Sequence, residues 1–228
     1  MQARSLVPRP VSTSPSPRLL ERTRAVVDLR SLSAGGLLYE NSRSFDAGLR
    51  FGPAQMSMTA TSPSDWLARQ IEHALHYSHM SEVTDRPVHV DAPCGALTHP
   101  DTPAAALQAV ATHKSCPQEV CIEFENATFS SDITAALAGA RALRRAGFRL
   151  GLDARQSSCA LANPALRLLI DVVHVDASEM AYDMRLTRRI KIAHEDGIQV
   201  IAHGAAWRDR HDLLGTGVDL IVNARTDA

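Results

Sequence analysis

Six positions in this chain carry side chains that can bind a cation or move a proton, and they share one placement. Asp91, Glu123, Asp153, His174, Asp176 and His203 fall at or near the C-terminal ends of short apolar runs: PVHVD, EVCIEF, FRLGLD, VVHVD and QVIAH. Glu125 follows Glu123 by two residues. Carboxylates and imidazoles gathered in one pocket are what a hard divalent cation, or a general base beside one, requires. Taken singly, each acid is equally well explained as a cap on the following loop or helix. Recurrence over successive runs favours a shared pocket.

The elements that must position these groups are legible as a rhythm. In the stretch 148–178, FRLGLDARQSSCALANPALRLLIDVVHVDAS, two apolar strands each deliver an aspartate, and the segment between them is long enough for a helical crossover to a parallel neighbour. Upstream, AVVDLR (25–30) and GLLYE (36–40) are joined by a link of about six residues, too short for a parallel crossover, so the spacing predicts an antiparallel hairpin. Residues 41–62 carry no assignable pattern. Ser64 or Asp65 is suited to cap a helix over 65–80 with Leu67, Ile71, Ala74 and Leu75 on one stripe. Strands at 87–91, 119–124, 148–153, 172–176, 199–203 and 219–223 then alternate with helical stretches near 103–113, 133–146, 182–196 and 206–214. Asp132 caps the second of these helices; Ile133, Leu137, Ala140 and Leu143 are its expected core face, and Gly147 ends it. Eight strands alternating with helices predict a closed (β/α)8 TIM-like barrel with one strand reversed, its functional face at the C-terminal strand ends. An open doubly wound sheet is the alternative, although no GxGxxG or phosphate-loop fingerprint supports it.

Composition bounds the function. At 228 residues with 45% hydrophobic side chains the chain can bury one sizeable core. Residues 1–22 are rich in Ser, Pro and Arg and read as a disordered lead, leaving 23–228 as the folded domain. The net charge of −1, without a long basic run, argues against direct nucleic-acid binding. Cys94, Cys116, Cys121 and Cys159 show neither CxxC pairing nor scaffold density and read as free thiols in a reducing cytosol. No apolar run approaches the roughly 18 residues of a membrane span, so a cytoplasmic protein is expected. His73, His76 and His79 rotate around their helix and read as ordinary exposed residues, and Trp66 and Trp207 as packing residues at helix starts.

LRRAGFRLGLDA, IDVVHVDAS, GIQVIAHGAAW and TGVDLIVN together resemble, in order and spacing, the EAL domain of cyclic di-GMP phosphodiesterases. These stretches match that family's DDFG, KID and AEG segments and its final strand. VCIEFEN resembles the strand carrying ExTE, PVHVD the strand ending in asparagine, and VVDLRSLSAGGLL the opening hairpin, so the resemblance covers about 25–228. It implies a (β/α)8 barrel with an antiparallel first strand and hydrolysis of a phosphodiester assisted by two Mg²⁺ or Mn²⁺ ions.

Against that pattern the chain has changed most of the pocket's expected polar groups. The EAL glutamate becomes Leu38, with Glu40 two residues on; the asparagine ligand becomes Asp91 and the second aspartate of DD becomes Ala154. The KID lysine becomes His174, the AEG glutamate His203, that motif's second glutamate Ala206 and the final glutamine Val222. Glu123, Asp153 and Asp176 stand unchanged. The resemblance therefore implies a degenerate, non-hydrolysing regulator that meets a protein partner, with no cofactor and at most one weak Mg²⁺ or Mn²⁺ site at Asp91, Glu123, Asp153 and His203. A receptor for cyclic di-GMP is the alternative, with Arg43 beside the family's ligand-contacting position and Arg155 in the loop after Asp153. Family domains also dimerise through the region equivalent to 154–169, so a homodimer is an open expectation.

Overall fold

The computed structural model of the chain describes residues 21–31, 34–41, 62–80 and 87–222. Eight strands close into a barrel in chain order: β1 (Glu21–Asp28), β2 (Ala34–Asn41), β3 (Val88–Asp91), β4 (Val120–Glu125), β5 (Arg149–Asp153), β6 (Val172–Asp176), β7 (Gln199–His203) and β8 (Leu220–Val222). Strands β2 to β8 run parallel to their neighbours, and β1 is antiparallel to both β2 and β8. The hairpin and the reversed strand expected from the short first link are both present. β1 begins at Glu21, two residues inside the stretch read as a lead, and residues 1–20 lie outside the described residues.

The hairpin turn is held by Asp28, whose Oδ1 accepts the backbone N–H groups of Arg30 at 2.8 Å and Ser31 at 2.7 Å. Five longer helices cover the barrel: α1 (Pro63–Met80), α2 (Thr102–Thr112), α3 (Ile133–Arg145), α4 (Met184–Glu195) and α5 (Arg210–Thr216). α1 starts earlier than expected because Ser62, not Ser64 or Asp65, caps it: Ser62 Oγ accepts the Asp65 N–H at 3.1 Å, with Pro63 in the first turn. Its stripe of Leu67, Ile71, Ala74 and Leu75 is fully buried, as the periodicity predicts. Asp132 caps α3 by accepting the Ala135 N–H at 2.9 Å, and Gly147 ends it at φ +95°. Ile133, expected in the core, is exposed, and Ala136 takes its place beside Leu137, Ala140 and Leu143. The β5–β6 crossover holds only a 3₁₀ turn at Cys159–Ala162 and one helical turn at Pro164–Arg167.

Alternation along the strands sorts two cores. Ile122, Phe124, Leu150, Leu152, Val173, Val175 and Val200 point outward and pack beneath the helices. Val26, Leu38, Cys121, Val172, Ile201, Leu220 and Val222 form a separate apolar cluster on the inward positions, a plug inside the barrel. No helix among the described residues is long and apolar enough to cross a membrane.

Candidate functional site

The inward positions next along the strands, beyond the plug, are polar. Register sets Asp91 beside Glu123, Glu123 beside Gly151, Asp153 beside His174, and Asp176 beside His203. Gly151 is what lets Glu123 lean across β5 towards β6, since a Cβ there would stand 3.0 Å from Glu123 Cγ. Gly36 on β2 makes comparable room for His89, with a Cβ 3.2 Å from His89 Nε2 and 2.8 Å from the Pro87 carbonyl.

These vacancies admit a buried chain of four side chains. His89 Nδ1 lies 2.7 Å from Glu123 Oε1, and His174 Nδ1 lies 2.7 Å from His203 Nε2. His174 Nε2 sits 2.5 Å from Glu123 Oε1, close enough for an ion pair, yet out of line for a hydrogen bond, so that nitrogen has no hydrogen-bond partner. His89, Glu123 and His174 are 1 to 3% exposed and His203 is 7% exposed.

The protonation pattern follows from the neighbours. Desolvation works against a Glu123 carboxylate, but the charge and close contact of His174 and the hydrogen bond from His89 outweigh it and hold the carboxyl well below its usual range. Desolvation likewise opposes an imidazolium at His174, and the Glu123 charge reverses that and raises it. Burial lowers His89 against the pull of Glu123, and burial together with the His174 charge pushes His203 down to about 3. The consistent state is an ionised Glu123, a charged His174 and two neutral imidazoles. His89 then donates from Nδ1 to Glu123, and His174 Nδ1–H donates to the lone pair on His203 Nε2.

Arg155 commands the mouth. Its Nε donates to Asp153 Oδ1 at 2.9 Å and an Nη to Oδ2 at 2.6 Å, a two-point grip on both carboxylate oxygens. Asp91 is exposed to solvent at the rim while the barrel wall encloses it on its other sides. Desolvation and then the Glu123 charge raise its carboxyl above the usual range, with Arg155 opposing and solvent at the mouth moderating the first of these. Asp176 accepts Ser178 N–H at 2.8 Å and Ser178 Oγ at 2.6 Å, and so caps the helical turn after β6. A cavity of about 200 Å³ beside Asp153 is lined by Glu125, Asn126, Ala127, Gln156 and Ser157.

Of the residues singled out in the sequence, Glu123, His174 and His203 come together, Asp91 and Asp153 stand over them, and Asp176 turns to its own loop. One ligand atom from each of His89, Glu123 and His174 lies within 4.8 Å of the others, whereas the expected set of Asp91, Glu123, Asp153 and His203 is not a metal cluster among the described residues. The physical reason is Arg155, which already holds Asp153. His89 escaped the sequence reading; its signal was its position two residues before Asp91 in PVHVD, which puts both on one strand face. Leu38 and Val222 belong to the apolar plug, Ala154 and Ala206 are buried, and Arg43 lies outside the described residues.

No family model matches the sequence, and no curated protein matches it. Solved structures do. BlrP1 of Klebsiella pneumoniae, in a manganese and cyclic di-GMP complex, is 17% identical at a TM-score of 0.69, covering 89% of this chain and 53% of its own. An EAL domain protein of Listeria monocytogenes EGD-e is 17% identical at TM-score 0.66, covering 89% and 85%. The PaMucR phosphodiesterase, in complex with cyclic di-GMP, is 13% identical at TM-score 0.69, covering 89% and 92%. This is an EAL-like fold. The EAL-like chain spans 53 to 59% of the length of the first structures it matches.

A pair of hard cations does not fit the oxygen donors of this EAL-like barrel. Mg²⁺ and Mn²⁺ take several oxygens each, but both Asp153 oxygens lie on Arg155 and one Glu123 oxygen lies between two imidazoles. At the rim, where a cation would bring positive charge to Asp153, the Arg155 guanidinium already supplies it.

Proposed function

We propose that this EAL-like barrel is a regulatory module of bacterial signalling that acts in the cytoplasm through contact with a protein partner and does not hydrolyse cyclic di-GMP. One observation carries the reading: positions that resemble metal ligands of the phosphodiesterases are given over to other work. Leu38 packs with Val26, Cys121, Val172, Ile201, Leu220 and Val222 in the plug, Ala154 is buried, and Asp153 is gripped by Arg155. In-line displacement at a phosphodiester needs cations that clamp both the attacking and the leaving oxygen, and aliphatic side chains cannot ligate them. A fold is separable from its reaction, and a barrel that keeps its scaffold can serve as a surface.

The test is a phosphodiesterase assay on the full chain with cyclic di-GMP and either Mg²⁺ or Mn²⁺. No turnover above buffer is expected. Turnover that Asp153→Asn abolishes would sink the reading.

A second reading, a non-hydrolysing cyclic di-GMP receptor, draws support from Arg155, whose side chain is 34% exposed at the mouth and can meet a phosphate. Calorimetry with cyclic di-GMP separates the two: a saturable signal reduced by Arg155→Ala supports the receptor, and a flat titration at high micromolar ligand removes it.

A further inference from the structure

We propose that His89, Glu123 and His174 form a buried binding site for one Zn²⁺ ion, deeper in the barrel than the rim carboxylates and built from different chemistry. Their three donor atoms converge from β3, β4 and β6 within 4.8 Å, and all three side chains are shut off from solvent. Two imidazoles and one carboxylate suit a borderline cation such as Zn²⁺ and not the oxygen-seeking Mg²⁺. A second observation points to a ligand. His174 Nε2, on a residue 1% exposed, lies 2.5 Å from Glu123 Oε1 without an in-line hydrogen bond to it, so two donor atoms crowd together with no proton shared between them, as ligands of one ion do. His174 Nδ1 meanwhile faces His203 Nε2 at 2.7 Å, the outer contact that fixes the ring of a metal-bound histidine.

The exchange balances. Zn²⁺ would enter with one water as its fourth ligand, His174 would release its extra proton to solvent, and His89 would move its proton from Nδ1 to Nε2, so that each residue presents a lone pair and Glu123 stays ionised. The ion would tie β3, β4 and β6 together as a structural centre. This inference is independent of whether cyclic di-GMP is bound or hydrolysed, and its test involves no nucleotide.

The full chain, stripped with a chelator, is titrated with ZnCl₂ by calorimetry, its metal content measured after gel filtration, and its melting temperature followed. One Zn²⁺ per chain and a raised melting temperature are expected, with MgCl₂ giving neither. His89→Asn should weaken binding by about tenfold or more with an unchanged far-UV spectrum. A variant carrying His76→Ala, His79→Ala and His113→Ala, which removes the imidazoles grouped between α1 and α2, should bind like the parent. Should His89→Asn fail to fold, Co²⁺ on the parent decides. Intense visible bands of a four-coordinate ion without thiolate charge transfer support the site, and a weak six-coordinate spectrum, or thiolate bands from the exposed Cys94, Cys116 or Cys159, overturns it. Absence of stoichiometric Zn²⁺, parent-like binding by His89→Asn, or loss of the ion in the surface variant equally overturns it.

Discussion

Glu123→Gln removes the one negative charge from a buried chain whose other members are imidazoles. His174 is then left to shed its proton or stay charged without a partner, and breaking a buried pair from one side costs about 3 to 5 kcal/mol. Urea denaturation of the metal-free protein measures it, and a loss under about 1 kcal/mol would mean that the pair is not an ion pair at all. Removing both charges in a Glu123→Gln, His174→Gln double variant should recover part of the loss, because no lone charge remains buried. The strand-end placement of Glu123, His174 and His203 was readable from alternation alone. Their union was not, because it depends on Gly151 and Gly36 lacking side chains at two points where neighbouring strands converge. A glycine in a strand signals close approach without saying of what. Asp176 resolved the other way: its cap on Ser178 is the modest alternative that any strand-end acid carries.

At the level of elements, the β1–β2 turn and the seat of α3 are each pinned by one residue. The Ser31 backbone N–H, ahead of that of Arg30, holds the Asp28 carboxyl below its ordinary value. A depressed folded pKa contributes stability above the unfolded value and loses it as pH falls through the folded one. Asp28→Ala should therefore cost about 1 kcal/mol near neutrality, and melting curves of variant and parent should draw together below about pH 4. Gly139 in α3 is set against the loop before α2: a Cβ would stand 1.7 Å from the Leu97 carbonyl oxygen. Backbone blocks that space, so Gly139→Ala should destabilise by about 3 kcal/mol in thermal or urea unfolding, although alanine ordinarily favours a helix. Nothing in ITAALAGARALRRAG marks that glycine as buried contact, since helix periodicity gives a face and no partner. The same gap explains Ile133, which the stripe assigned to the core and which the first turn of α3 leaves exposed, and α1, whose Ser62 cap was hidden behind Pro63.

Across the whole molecule, closure depends on its ends. β1 is sealed between β2 and β8, and Arg210 in α5 donates from Nε to the Leu29 carbonyl at 2.5 Å across 181 residues. The short link that demanded a hairpin made this reversed strand legible early, because chain length forbids any other geometry. Closure itself was inferred from strand count, and an open sheet remained compatible until the β1–β8 register was seen. A chain ending before Leu220 should accumulate as insoluble protein rather than as a weakened barrel, which fractionation after expression would check, because β1 and β7 would present unpaired edges.

That closure also sets a schedule for synthesis. At about 5 to 20 residues per second, the ribosome makes β1 on the order of 10 s before β8 exists. Until β8 arrives the plug lacks Leu220 and Val222, and the inner imidazoles and Glu123, once made, cannot be enclosed. The yield of this chain in a cell is therefore expected to track chaperone capacity more closely than the stability of the finished barrel, which co-expression with chaperones would check.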